Sequence, residues 1–119
     1  MSGEKKFRAW DKKNKEMISP VGIGTFGEPL NEYNEMMDNC ELMQYTGLKD
    51  KNGKEICEGH IVKVKWGGVG YVVFQDGSFI SRWEDGKVEY RVCKSDIESR
   101  ELEVIGNIYE NPELLEVSE

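Results

Sequence analysis

One histidine, three prolines and three cysteines are all that 119 residues hold of three residue types that often mark reactive centres, stiff linkers and disulfide frameworks. With His60 alone, a histidine-assisted nucleophile or a multi-histidine metal cage has only one ring to use. Cys40, Cys57 and Cys93 are odd in number and far apart, so reduced thiols are expected rather than paired sulfurs. Long apolar runs are missing as well: nothing approaches the ~20 residues that cross a bilayer. The opening MSGEKKFRAW has charge but lacks the apolar centre of a secretion signal. A cytoplasmic protein, away from the membrane, is the expectation.

An excess of positive charge is also lacking. The net charge is -7, which argues against general affinity for phosphate backbones. The charge is polarised along the chain. Residues 1–15 carry six Lys/Arg against two acids, whereas residues 16–48 carry six acids and no Lys or Arg. Residues 49–95 are nearly balanced, and residues 96–119 hold eight acids and one arginine.

What is present is β patterning punctuated by glycine. Thirteen glycines supply turns, and 38% hydrophobic with 33% charged residues suits a small domain burying one face of each sheet. Lys6 to Asp11 alternates, a polar stretch follows, and Met17-Ile18 returns, which predicts a hairpin over residues 1–18. Residues 19–41 predict a variable loop, with Leu30, Tyr33, Met37 and Cys40 at a spacing that allows one short helix. From Leu42 onward, short apolar runs are separated by Asn52-Gly53, Gly67-Gly68, Asp76-Gly77 and Asp85-Gly86, pairs suited to hairpin turns. Val62, Val64 and Trp66 alternate with Lys63 and Lys65, and a last strand, Leu102 to Ile108, is expected to bend at Gly106. Asn111-Pro112-Glu113 then starts a helical turn within a tail over residues 111–119. The expectation is one mainly β domain, a small SH3-like barrel of antiparallel hairpins with its core in residues 42–110.

Three stretches, KFRAWDK at Lys6–Lys12, LMQYTGLKDKNGKEICEGHIV at Leu42–Val62 and VIGNIYENPELL at Val104–Leu115, resemble the YopX family of bacteriophage and prophage proteins. They stand in the family's order and make up about a third of the chain. The resemblance implies a β-rich fold of small-barrel character on phage or integrated phage genomes, and it assigns no activity and no catalytic residues. One departure is visible: the family's usual Glu-Gly-Asp is Glu58-Gly59-His60 here, so a functional or turn-capping role of that aspartate does not carry over directly to this chain.

The reactive residues assemble poorly. Cys57 and His60 have the Cys-x2-His spacing of half a zinc site, but a structural zinc needs four ligands, and Cys40 and Cys93 are single. Isolated cysteines are more often small buried apolar groups, and His60 is expected at the surface of a turn. The glycines at 67, 68 and 70 lack the Lys-Ser/Thr of a phosphate loop. A binding surface is the better-founded reading. Lys63, Lys65, Trp66, Tyr71, Arg82, Trp83 and Arg91 mix cations with aromatic rings on neighbouring predicted strands, a combination that small barrels use for single-stranded nucleic acid. The competing reading buries the rings in the core and leaves the cations guarding strand edges. No cofactor and no metal are expected. The favoured function is a non-enzymatic module acting on a host or phage protein, with homo-oligomerisation through strand edges as a further expectation. Single-stranded nucleic-acid binding is the first alternative, and a hydrolase or metal enzyme at Cys57/His60 the second.

Overall fold

The computed structural model describes residues 6–19, 21–31, 33–65, 68–83, 89–92 and 101–115. The fold is mainly β, built from antiparallel ladders, as the hairpin punctuation predicts. It divides into two compact units, Met1–Tyr45 and Thr46–Glu119.

In the first unit, β1 (Phe7–Asp11) pairs with β2 (Glu16–Ile18) and, on its other side, with the first half of β5 (Cys40–Lys49). Asp11 closes the β1–β2 hairpin. Its carboxylate accepts hydrogen bonds from the backbone N–H groups of Lys13 (3.0 Å) and Asn14 (3.1 Å), and its carbonyl accepts one from Lys15 N–H. Ala9, Trp10, Met43 and Val21 are its buried apolar side chains, so the central strand of this small sheet is the one that is covered. Tyr45 is flanked by Lys6, 5.1 Å from the ring centroid, and by the Arg8 guanidinium at 5.9 Å, within the range of cation–π attraction.

Between these strands lies a second, two-stranded ladder, β3 (Gly22–Ile23) with β4 (Pro29–Leu30), extended by an isolated bridge from Leu30 to Met36. The short helix that the spacing of Leu30, Tyr33, Met37 and Cys40 allowed is not formed among the described residues. Asn31 breaks it. Its side-chain oxygen accepts from Tyr33 N–H (2.8 Å) and Glu35 N–H (2.9 Å), and Asn34 and Asn39 adopt the left-handed region at φ 63 and 59. Those local bonds use donors that a helix would need.

In the second unit, β6 (Glu55–Cys57) adds to the far half of β5, and a five-stranded sheet follows in the order β10-β9-β8-β7-β11. Its strands are β7 (His60–Lys63), β8 (Val69–Gln75), β9 (Ser78–Trp83), β10 (Glu89–Arg91) and β11 (Glu103–Asn107). It curls as a half-barrel. Ile56, Val62, Val64, Val72, Val92 and Leu102 are buried together, with Leu48, Phe79 and Val104 packed against them. The alternation of Val62 and Val64 with the exposed Lys63 and Lys65 is as the sequence predicts.

Asp76 and Gly77, at φ 53 and 81, form the two-residue β8–β9 turn that only positive-φ residues make comfortably. Asp85-Gly86 lies outside the described residues. Gly47, at φ 86, interrupts β5, where Thr46 substitutes side-chain bonds for the ladder. Its hydroxyl donates to Ile56 C=O (2.9 Å) and accepts from Leu48 N–H (3.0 Å). The expected bend in the last strand is a register shift between Val104 and Gly106, and Pro112–Leu115 form one 3-10 turn.

Candidate functional site

The basic and aromatic residues singled out by sequence are only partly gathered. Ladder register gives Lys63, Tyr71, Arg82 and Arg91 one parity: Tyr71 pairs with Ile61 and Arg82, Lys63 with Val69, and Arg91 with Ile80. Trp83 pairs with Gly70, the partner of Val62, and so takes the opposite parity. Trp66 lies outside the described residues. The described cations of this strip are already engaged or lie next to acids. Lys65 Nζ is 3.6 Å from the Glu101 carboxylate, Lys63 is the ladder partner of Glu103, whose carboxylate is 3.9 Å from Lys51 Nζ, and Arg82 donates to the Gln75 side-chain oxygen. Ile61, of the same parity as Lys63 and Tyr71, is fully buried. An open stacking platform needs the reverse of both conditions.

His60 is not at the surface. It is only 4% exposed, and its Nδ1 accepts the Cys57 backbone N–H at 2.9 Å across the Cys57-Glu58-Gly59-His60 turn. This placement follows from β7 beginning at His60 in the interior of its sheet, opposite Asn107 of β11. An aspartate oxygen can accept the same N–H. His60 caps its own turn as the tautomer with Nδ1 bare, and that nitrogen is committed to backbone. Cys57 is buried and forms no disulfide, and among the described residues no group of three His, Cys, Asp or Glu side chains converges as metal ligands.

The second unit turns on a carboxylate that the sequence reading passed over. Asp50 is buried, and its Oδ1 accepts from Asn52 N–H (2.9 Å) and Lys54 N–H (2.8 Å), while Oδ2 accepts from Val104 N–H (2.8 Å). Lys51 N–H donates to Leu102 C=O at 3.0 Å. The Asn52-Gly53 turn is thereby fastened to β11. An acid two residues before Asn-Gly was the available signal, because aspartate readily bonds backbone donors two residues on. A second knot lies at the far end of β11. Asn107 Oδ1 accepts from Tyr109 and Glu110 N–H (3.0 and 2.9 Å), and Asn107 N–H donates to Asn111 Oδ1 at 3.1 Å. Ile108 N–H donates to Gly59 C=O, and Gly59 N–H to Val72 C=O. The stretches 42–62 and 104–115 thus meet along the β7–β11 ladder, and Lys6–Lys12 supplies β1. What the three stretches share is architecture rather than a reactive cluster.

A different surface is distinctive in its exposure. Of the large hydrophobic side chains exposed among the described residues, Ile23 (38%), Phe26 (92%), Tyr33 (74%) and Met36 (65%) fall within the one segment of the first unit that holds β3, β4 and the Met36 bridge. The other is Phe74, beside Phe79 near the β8–β9 turn. Residues 19–41 have the composition of a variable loop, and exposure of this kind has no signature in periodicity.

These features define a class: a small antiparallel β protein whose recurrent motifs are turn locks. Comparison with known proteins places the chain within that class. The YopX protein family model matches residues 6–116, and the chain belongs to the YopX family. It is similar to the crystal structure of protein EF1440 from Enterococcus faecalis, with 32% identity, a TM-score of 0.74, and coverage of 97% of this chain and 100% of that one. It is also similar to the crystal structure of protein yopX from Bacillus subtilis, with 26% identity, a TM-score of 0.64, and coverage of 96% and 98% respectively. No curated protein matches it.

Proposed function

We propose that this chain is a non-enzymatic interaction module that binds a protein partner through its first unit. Encoded on a phage or prophage, it would act in the host cytosol on a host or phage protein. The observation that carries this reading is the exposure of Phe26, Tyr33 and Met36 on turns whose backbone is already bonded. Ile23, Phe26, Tyr33 and Met36 concentrate exposed apolar surface in one short segment, and concentrated apolar surface is characteristic of binding sites. The engagement of His60 Nδ1 with a backbone N–H favours a structural over a catalytic role for that ring. The experiment is affinity capture from a host lysate, with and without nuclease, using the native chain and a Phe26→Ala/Tyr33→Ala/Met36→Ala variant in parallel. A protein retained after nuclease by the native chain and lost by the variant supports the proposal. Identical capture by both counts against it.

Nucleic-acid binding at Lys63, Lys65, Trp66, Tyr71, Arg82, Trp83 and Arg91 is the weaker reading, because Lys65 is paired with Glu101, Lys63 is the ladder partner of Glu103 and Arg82 is bonded to Gln75. It predicts quenching of tryptophan fluorescence by an oligothymidylate at low salt, reversed as salt is raised.

A further inference from the structure

The segment from Gly22 to Met37 is built to display side chains. Gly24 N–H donates to Glu28 C=O (2.8 Å), Gly27 N–H to Gly24 C=O (3.0 Å), and Phe26 N–H to the Glu28 carboxylate (2.9 Å). Gly27 at φ 82 completes this first turn, and Phe26 projects from it. The second turn repeats the design. Asn31 N–H donates to Glu35 C=O (2.9 Å), Asn34 N–H to Asn31 C=O (3.0 Å), and the Asn31 amide nitrogen to the Glu35 carboxylate (3.1 Å), leaving Tyr33 projecting. Met37 N–H donates to Pro29 C=O at 3.0 Å, which fastens the return limb carrying Met36. These apolar groups are therefore not exposed because the chain is unformed. A backbone already bonded into turns lowers the ordering cost of association, and aromatic side chains dominate binding hot spots.

Charge identifies the occupant. Between Gly22 and Asp38 the segment itself holds four acids and neither Lys nor Arg, whereas Glu41 just beyond it is paired with Lys12 at 3.1 Å. Glu28 and Glu35 are folded into the turns themselves, and Asp38 is exposed just beyond them. This field repels phosphate-rich polymers and anionic lipid. It also disfavours the same face of a second copy, since an isologous contact sets these acids against each other. It attracts Lys and Arg, whose cations also favour the faces of exposed aromatic rings.

We propose that the paired turns carrying Phe26, Tyr33 and Met36 dock a cationic protein segment that presents Lys or Arg together with apolar side chains. This rests on the interaction-module reading above and specifies its partner.

The test is selection of a displayed random 16-residue peptide library on the full-length protein, followed by titration of the enriched peptides. Enriched sequences should combine Lys/Arg with apolar residues and should weaken as salt rises from 50 to 500 mM. Phe26→Ala alone should weaken them about tenfold or more, as should Asp38→Lys, and Phe26→Ala/Tyr33→Ala/Met36→Ala should abolish binding. Phe26 has almost no packing to lose, so its single variant keeps the test valid even if the triple variant unfolds. Enriched peptides that bind the triple variant unchanged would overturn the assignment of this face while leaving the module reading in place. Acidic or uncharged winners would overturn the charge argument. Failure to enrich any peptide would count against both readings. A dimer in sedimentation equilibrium that Phe26→Ala dissociates would give the face to a second copy and overturn the proposal.

Discussion

Asp50 provides the sharpest quantitative check on how the second unit is held. Its carboxylate accepts three backbone N–H groups at 2.8–2.9 Å, two inside its own turn and one from Val104 on β11. Hydrogen bonds to a charged group contribute about 1.5–3 kcal/mol each when intact, but the two turn donors belong to exposed Asn52 and Lys54, which water can reach. Val104 is half-buried within a ladder, so its N–H bears most of the loss. Asp50→Ala should therefore cost about 2–4 kcal/mol. Asp50→Asn is the more incisive change. Its single oxygen can retain the two turn bonds, but its NH2 then faces the Val104 N–H, donor against donor, so about 2 kcal/mol should still be lost. Urea unfolding followed by tryptophan fluorescence gives the totals, and hydrogen exchange gives the location. Val104 should lose protection in Asp50→Asn, whereas Asn52 and Lys54 should not. Stability of Asp50→Ala within about 0.5 kcal/mol of native, the range of neutral surface changes, would refute the reasoning.

His60→Leu should cost about 1–3 kcal/mol by leaving the Cys57 N–H without its acceptor, while His60→Asp should retain more stability than His60→Leu; urea midpoints rank the two. A Cβ on Gly106 would lie 2.7–3.0 Å from the Asn111 side chain, so Gly106→Ala should displace Asn111 and cost about 1–2 kcal/mol. A double-mutant cycle with Asn111→Gly should show coupling of about 1 kcal/mol. The Asp11 carboxyl is held below the ordinary aspartate range, chiefly by the Asn14 backbone N–H and then by the Asn14 side chain. Its contribution to the β1–β2 hairpin is thus complete above that range and is lost as pH falls through the lowered value. An NMR titration of the Asp11 carboxyl should show the low midpoint, and Asn14→Ala should move it upward. Burial, then Asp11 and Asp38, raise the Cys40 thiol above its ordinary range. Asp38→Asn should therefore quicken alkylation of Cys40 at mildly alkaline pH in a Cys93→Ser background, where buried Cys57 reacts slowly.

Much of the fold was legible because it is written in short-range chemistry. Asn52-Gly53 and Asp76-Gly77 announce their turns through positive φ, and Val62 and Val64 announce the buried side of β7 by alternation. The helix allowed over 30–40 failed where Asn31 captured two backbone donors, a side-chain competition that spacing cannot register. His60 was misplaced for a related reason. Its burial follows from β11 pairing beside β7, a partnership between residues more than forty positions apart. The basic strip was legible as composition only. Its engagement with Glu101, Glu103 and Gln75 depends on which segments become neighbours. The apolar display on residues 22–37 was invisible because exposure is decided by what fails to cover a side chain.

The β8–β9 turn has a practical corollary. Gln75 pairs directly with Ser78, only Asp76 and Gly77 intervene, and Phe74 through Gly77 are all exposed. Extending so short a link costs little chain entropy, about 0.6 kcal/mol for each doubling of length. Foreign sequence spliced between Asp76 and Gly77 would inherit two strand ends already aligned for it, so this corner is a natural port for an epitope or fluorophore, on a different unit from the displayed aromatics.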